Sequence, residues 1–360
     1  MEQRLSKEQL ELCHLLSLAL HGKKAGPPDP DVDYSRVIAI AQKHQVTPLL
    51  HPVLEEMELP ESVWNIIDLR GEQAVRQSYR LLMLSRYVIR LLQKHDIDAI
   101  LLKGSGTAAW YPVVCESPDR ISIELHMSLA EPFDSVKINQ YLAAQQVEYF
   151  TNRRTVNSMG VAFQLASDGY HAFYLLLHML QHYVRAGFGI KLLCDWVVFW
   201  ESDVSDDEKS KFLRLVRESK TFGFAAMMTR VCVRYLGLQE EKMAFLLQES
   251  DTIKAEKRMD LIEELMAEIF EAEEFGHSGQ DRMVTLRGTK ITDYVREFHH
   301  QMKLTYPRAG RIVVLYPLLW VMTLCGFLYR NRTLRKVSGR QILQKAKKRS
   351  QITEQMRLFR

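Results

Sequence analysis

The chain has few of the residues that build disulfide scaffolds, metal ribbons and β-sandwiches. Glycine and proline number only 17 and 11 in 360 residues, and this scarcity of turn formers disfavours an all-β fold and favours helices. No Cys-x-x-Cys pair occurs, which argues against a zinc ribbon. The cysteines are odd in number and scattered among apolar neighbours, so we expect several to be small core residues: Cys13, Cys115, Cys194, Cys232 and Cys325.

The first residues, MEQRLSKEQLEL, lack the apolar run of a secretory signal peptide. Scattered cysteines without a pairing pattern fit a reducing compartment. A hydrophobic fraction of 47% and a charged fraction of 26% are ordinary for a globular protein. The sequence therefore predicts a cytoplasmic protein, with peripheral membrane association as the alternative.

One uncharged stretch raises the question of a membrane helix. Residues 312–329 contain no charged side chain over 18 positions, with arginines on both sides. That length only just reaches the roughly 17–25 residues that span a bilayer, and Pro317 lies within it. We expect a buried helix with Pro317 near its first turn; a spanning helix and an interfacial helix are the alternatives.

Positive charge is concentrated at the C-terminus. Residues 330–360 contain eleven Lys and Arg against the single acid Glu354, a net charge of +10, so the first 329 residues sum to −6. Such a segment would suit RNA, anionic lipid or an acidic partner protein. A solvated helix rich in Lys and Arg is the simpler alternative.

Helical patterning dominates both ends of the chain. Residues 4–20 place apolar side chains at helical spacing, with Ser6 as N-cap and Gln9 completing a capping box. Residues 61–95 form a long apolar-periodic stretch with almost no helix breaker, and the pattern is again helical from Tyr170 almost to the end. These segments predict a largely helical protein.

Strand signals are confined to the middle of the chain. Residues 97–102 form a short apolar run rich in branched side chains, and residues 121–127 alternate between apolar and polar side chains. Two further strands are expected at residues 147–152 and 161–165. The fold class predicted from these elements is α+β, predominantly helical.

The run DAILLKGSGTAAWYP is the most informative stretch of the sequence. A buried strand would lead into Lys103, Gly104, Ser105 and Gly106, followed by small residues that suit a helix start. Backbone N–H groups at such a turn, a helix N-terminus and a neighbouring lysine can bind phosphate. The run matches neither the P-loop nor the dinucleotide fingerprint. A tight turn that needs glycines for purely structural reasons is the alternative.

This run resembles the opening of the uncharacterised nucleotidyltransferase family within the polymerase-beta-type superfamily. Further resemblances follow in the family's order: YSRVIAIAQKHQVTPLL to its N-terminal helices, ISIELHMSL to its Glu-x-His strand, FYLLLHMLQHYVRAGFGIKLLCDWVVFW to its His…His…Asp segment, and YPLLWVMTLCGFLYRN and ILQKAKKRSQITEQMRLF to its C-terminal helices. The resemblance implies a helical module at residues 1–95, a truncated nucleotidyltransferase-like core with a small mixed sheet at 96–168, and a helical region with a basic C-terminus at 169–360.

The sequence departs from this family where the catalytic carboxylates belong. Enzymes of the superfamily follow the Gly-Ser turn with a strand bearing Asp-x-Asp, and those carboxylates together with a third hold two Mg²⁺ ions. Here VVCESPD runs directly into RISIELH after Tyr111-Pro112. By resemblance Glu124 matches the third carboxylate, the catalytic and metal-binding residue, and His126 matches its companion. The first two carboxylates have no counterpart.

Other carboxylates are poor substitutes. Asp96 and Asp98 form a literal Asp-x-Asp, but they precede the predicted strand and should lie at its far end from the phosphate turn. Glu116 and Asp119 are expected in the connecting loop, where the spacing does not orient them. The remaining acidic groups are expected in a linker, a loop and a helix cap: Asp29, Asp31, Asp33, Asp203, Asp206, Asp207 and Glu208.

His178 and His182 stand four residues apart, which is metal-ligand spacing on one helical face. Met179 occupies the position where a zinc protease needs Glu, so hydrolysis is disfavoured. Asp195 would pair with either imidazole from the next helix. A polar seam between two helices is the simpler interpretation, whereas by resemblance these residues line the cleft together with His126.

The predicted function is that of a nucleotidyltransferase-family protein. By resemblance it transfers a nucleoside monophosphate from an NTP to an unknown acceptor with Mg²⁺, impaired or abolished here by the missing carboxylates. Lys103, Gly104 and Ser105 would bind the nucleotide. The alternatives are a non-catalytic protein that binds a nucleotide or a partner, and an interaction protein that docks through residues 330–360.

Overall fold

The computed structural model describes residues 4–102, 113–116, 122–125, 128–133, 135–158, 161–185, 187–248, 255–272, 291–330, 352–356 and 358. The helices are, in chain order, α1 (Lys7–Leu20), α2 (Tyr34–Lys43), α3 (Thr47–Leu54), α4 (Glu61–Lys94), α5 (Val136–Thr151), α6 (Asp168–Arg185), α7 (Lys191–Glu201), α8 (Asp206–Glu218), α9 (Phe222–Leu236), α10 (Ala244–Leu247), α11 (Ala255–Ala272), α12 (Ile291–Thr305) and α13 (Tyr316–Arg330). The strands are β1 (Val113–Glu116), β2 (Ser122–Leu125), β3 (Arg153–Ser158) and β4 (Val161–Ala166). The predicted α+β, predominantly helical fold class is confirmed.

The helix starts follow the predicted capping chemistry. The Ser6 hydroxyl accepts from the Gln9 backbone N–H, and the Gln9 side chain accepts from the Ser6 N–H, which completes the predicted capping box. The Asp33 carboxylate caps α2 by accepting from the N–H groups of Ser35 and Arg36. The long helix expected at residues 61–95 is present as α4.

The core joins the N-terminal helices to the middle of the chain. Helix α1 packs against α3, α7 and α9, and Leu12, Leu15 and Leu16 are fully buried there. Burial of each such side chain stabilises the fold by about 1.5–3 kcal/mol. In the same core the Trp196 indole N–H donates to the Thr229 hydroxyl over 3.0 Å, so its polar atom is satisfied.

Three of the cysteines are core residues, as predicted. Cys13, Cys194 and Cys232 are buried, and Cys325 is exposed. Burial raises the pKa of the three buried thiols, because the thiolate would lose its hydration. These side chains are therefore neutral packing groups at physiological pH.

The strands form two antiparallel hairpins in the described part of the chain. β1 pairs with β2, and β3 pairs with β4. The predicted strands near residues 121–127 and 161–165 are confirmed as β2 and β4. The described strands pair only in antiparallel fashion, so the predicted mixed sheet is wrong for these strands. Residues 97–102 are not paired as a strand, although the Leu101 N–H donates to the Gln164 carbonyl over 2.8 Å.

The predicted strand at residues 147–152 is wrong, because residues up to Thr151 belong to helix α5. Ile138, Leu142 and Tyr149 lie buried on one side of this helix. A short apolar and aromatic run fits either secondary structure on its own. Here the packing of Tyr149 against α6 selects the helix.

The predicted buried helix at residues 312–329 is also wrong. Helix α13 begins at Tyr316, with Pro317 in its first turn as expected. Only Leu319 and Thr323 of this stretch are buried among its described side chains, and Val314 is 87% exposed. No helix in the described ranges is long and apolar enough to cross a bilayer.

The last described residues return to the core. Ile352, Met356 and Leu358 are buried, and the Met356 carbonyl lies so close to Gly223 of α9 that a Cβ there would collide with it. The end of the basic segment at residues 330–360 is therefore held against the helical body.

Gly237 ends α9 in the left-handed conformation, with φ at 72°. A Cβ at this position would also collide with the Ser17 hydroxyl of α1. We expect Gly237→Ala to lower the free energy of unfolding by about 1–3 kcal/mol, through backbone strain and loss of the α1–α9 contact. Urea denaturation would measure the change.

The matched control is Gly26→Ala. Gly26 has no neighbour within 4 Å of an added Cβ, and its φ lies outside the left-handed region. This variant should stay within about 0.5 kcal/mol of the wild type. Equal losses in the two variants would show that the α9 terminus tolerates a side chain.

Candidate functional site

The predicted nucleotide-binding residues Lys103, Gly104 and Ser105 lie outside the described residues. The predicted cleft residue His126 also lies outside them, so the roles of all four remain predictions. Glu124 is placed by its backbone in β2, directly opposite Val114 of β1.

The described strands β1 and β2 contain two carboxylate residues. Glu116 lies at the end of β1, opposite Ser122, so its predicted location in a loop is wrong; Asp119 lies outside the described residues. The register places Glu116 and Glu124 on facing strands of one short ribbon. The hairpin packs beside the long helix α4 through β2.

Asp96 and Asp98 form a literal Asp-x-Asp, and Asp98 has a structural role. The Asp98 carboxylate accepts two hydrogen bonds from the Arg153 guanidinium of β3, one of them over 2.7 Å. These hydrogen bonds and the charge of Arg153 lower the pKa of Asp98. Asp96 lies just after α4 with φ at 56°. The Asp98 charge is thus already paired with an arginine, which disfavours it as a metal ligand.

Two contacts position the chain just before the predicted phosphate turn. The Asp98–Arg153 ion pair joins this segment to β3. The hydrogen bond from the Leu101 N–H to the Gln164 carbonyl joins it to β4. The β3–β4 hairpin therefore positions the chain at Asp98 and Leu101, before the predicted turn.

Helix α6 presents a ladder of aromatic rings at four-residue spacing. Tyr174 stacks on His178 with 6.1 Å between ring centroids, and His178 meets His182 edge to face at 4.6 Å. His178 is buried and His182 half-buried. The predicted placement of both histidines on one helical face is confirmed. Asp195 lies on α7, which packs against α6.

The N-terminal part of this ladder, Tyr170 and Tyr174, packs around Tyr149 of α5. The Tyr149 ring lies 6.1 Å from Tyr170 and 6.2 Å from Tyr174, in edge-to-face geometry. Burial raises the pKa of the Tyr149 phenol, so this side chain is neutral at physiological pH. Sequence reasoning missed it, although the four-residue spacing from Tyr170 to His182 was a signal for it.

The described residues offer no metal centre. No three His, Cys, Asp or Glu side chains within them come together in a group that would hold an ion. The His178–His182 pair thus lacks a third ligand from the described part of the chain. The edge-to-face packing of the two rings fits the polar-seam interpretation.

A half-buried ion pair fixes the start of α6. The Glu208 carboxylate of α8 accepts from the Gly169 N–H over 2.6 Å and from the Lys211 ammonium over 2.5 Å. Lys211 also donates to the Ser167 hydroxyl. Burial alone would raise the pKa of Glu208, but these hydrogen bonds outweigh it and lower the pKa. Glu208 was predicted to belong to a loop and helix cap. In the structure it also links α8 to the start of α6.

A family model described as "Uncharacterised nucleotidyltransferase" matches the chain over residues 30–115 and 114–237. The two segments together span more than half of the 360 residues. The chain belongs to this nucleotidyltransferase family. No curated protein and no solved structure gives a significant match.

The match to the nucleotidyltransferase family is divided at residues 114–115. This point lies within β1, between the predicted phosphate turn and Glu124. It is also the place where the sequence lacks the expected Asp-x-Asp strand. The resemblance proposed for the C-terminal helices lies beyond the matched segments.

We expect Glu208→Gln to destabilise the fold by about 1–2 kcal/mol at pH 7, because it removes a charge that accepts hydrogen bonds from Gly169 and Lys211. The lowered pKa of Glu208 means that its contribution is present above the ordinary carboxyl value of 4.5 and is lost as the pH falls through the lowered pKa. The difference between wild type and variant should therefore shrink in acid. Urea denaturation at pH 7 and at a pH well below 4.5 measures it.

Glu72→Gln is the control for this experiment. Glu72 pairs with Arg76 on the exposed surface of α4, so its loss should change stability little at either pH. A pH-independent loss in Glu208→Gln would show that its charge has no part in fixing α6.

Proposed function

We propose that this protein binds a nucleoside triphosphate at the turn formed by Lys103, Gly104 and Ser105, and that it transfers the nucleoside monophosphate poorly or not at all. Membership of the nucleotidyltransferase family supports the proposal, since the matched segments include this turn and Glu124. The acceptor class stays open. In an active relative an acceptor oxygen would bond to the α-phosphorus as the bond to pyrophosphate breaks.

The chemistry of the turn favours phosphate binding. Lys103 supplies a positive charge, and a Gly-Ser-Gly run allows backbone N–H groups to approach an anion closely. The contacts of Asp98 and Leu101 with the β3–β4 hairpin fix the chain immediately before this turn.

The lack of carboxylate ligands for a metal ion argues against efficient transfer of the nucleoside monophosphate. Mg²⁺, when bound in such a site, neutralises the charge of the phosphates during transfer. The sequence lacks the Asp-x-Asp strand that would supply two of the metal ligands, and the Asp98 carboxylate is paired with Arg153. A metal-binding role for Glu124 rests on the family resemblance alone.

One observation supports residual nucleotide-transfer activity. The β1–β2 register brings Glu116 and Glu124 onto facing strands of one hairpin, which follows the predicted turn in the chain. These are the two carboxylate residues of that ribbon. A catalytic variant of this site would use Glu116 in place of the missing Asp-x-Asp.

Nucleotide binding is tested with Lys103→Ala. Wild-type protein should be stabilised in a thermal shift assay by at least one of the four common NTPs. Loss of the lysine removes a charged hydrogen bond to phosphate, so we expect the affinity to fall by about tenfold or more. The control is Lys94→Ala, an exposed lysine at the end of α4. An affinity unchanged by Lys103→Ala would make the turn purely structural.

Transfer is tested with each α-labelled NTP and Mg²⁺ or Mn²⁺, beside Glu124→Ala and Glu116→Gln. We expect no product from the wild type that depends on Glu124. Label incorporation that both variants abolish would contradict the impaired-transfer proposal and identify the hairpin as a working carboxylate pair. Incorporation unaffected by either variant would point to a contaminating enzyme.

A further inference from the structure

The stretch from Ile312 to Tyr329 forms an exposed apolar surface. Val313 and Val314 are 68% and 87% exposed. The surface continues along α13 through Leu318, Val321, Met322, Cys325, Leu328 and Tyr329. Their spacing of three and four residues places them on one side of the helix. Contiguous apolar surface of this kind on a folded protein marks an interaction site.

Packing on the opposite side holds α13 in place. The Trp320 indole N–H donates to His299 Nδ1 of α12 over 3.1 Å, and the Trp320 ring meets Phe298 edge to face at 5.7 Å. Leu319 and Thr323 are buried. The apolar side chains are therefore exposed on a helix that is fixed from behind by α12.

The sequence around this surface is basic. It has no acidic residue between Glu297 and Glu354. Lys303, Arg308 and Arg311 are exposed beside the start of the apolar surface. An apolar surface next to exposed basic side chains is complementary to an anionic lipid bilayer.

We propose that the apolar surface of residues 312–329 docks on the face of an anionic membrane. The aliphatic side chains would enter the boundary between headgroups and acyl chains, with Lys303, Arg308 and Arg311 against the lipid phosphates. The helix lies on the bilayer rather than across it, in keeping with the lack of a spanning helix among the described residues. RNA would use the basic side chains but gain nothing from exposed Val and Leu, so the apolar surface favours lipid.

The test uses the full chain and sedimentation with vesicles of phosphatidylcholine, alone or mixed with phosphatidylserine. Wild-type protein should bind the mixed vesicles and bind pure phosphatidylcholine more weakly. Val314→Ser combined with Leu318→Ser should reduce binding to the mixed vesicles at least about tenfold, because two exposed aliphatic groups no longer leave water. Val198→Ser on α7 is the control, since Val198 is 58% exposed there.

Charge and insertion are measured separately. Arg308→Gln combined with Arg311→Gln should weaken binding to the phosphatidylserine mixture and reduce its dependence on salt. A polarity-sensitive dye on exposed Cys325, in a C115S background, should shift to the blue when vesicles are added.

Absence of vesicle binding would overturn the proposal, as would binding that the Val314 and Leu318 substitutions leave unchanged. Binding to single-stranded RNA without binding to vesicles would also overturn it and assign the basic residues to nucleic acid. None of these outcomes depends on nucleotide binding at Lys103.

Discussion

Burial of helix α6 is the constraint on which the described core depends. The helix packs against α7, α8 and β4, its N-terminus is hydrogen-bonded by Glu208, and Tyr149 of α5 fills the space beside its aromatic ladder. Only Ser167 separates β4 from α6, so the position of the helix fixes the β3–β4 hairpin. That hairpin in turn holds the chain before the predicted phosphate turn, through Arg153 and Gln164. The packing of α6 thereby sets the position of the chain that leads into the candidate site.

Nucleotide binding and nucleotide transfer place different demands on such a site. A lysine and backbone N–H groups stabilise the bound triphosphate in its ground state. Transfer requires stabilisation that is stronger in the transition state, which this superfamily obtains from metal ions held by several carboxylates. The pairing of Asp98 with Arg153 removes the nearest literal Asp-x-Asp from that role. A protein of this family can therefore keep the first property while it loses the second.

The sequence predicted those elements whose signals are local. The Ser6 capping box, the long helix α4 and the strands β2 and β4 follow from caps and periodicity. Residues 147–152 were mispredicted because their conformation is decided by the contact of Tyr149 with α6, which no local pattern contains. For the site, the order of motifs was enough to identify the family, and the helical face of His178 and His182 was foreseeable. The neighbours of those side chains were not, because they come from distant segments such as α5 and α8.

Helices α6 and α13 show why hydropathy alone does not determine burial. Both are rich in apolar residues, yet α6 lies within the core whereas α13 has neighbours mainly on the side that faces α12. The contacts of Trp320 with His299 and Phe298 would remain intact with polar side chains at Val314 and Leu318. Packing within the described chain therefore does not account for the aliphatic residues on the outer face. Docking on an anionic membrane, as proposed, would remove these side chains from water.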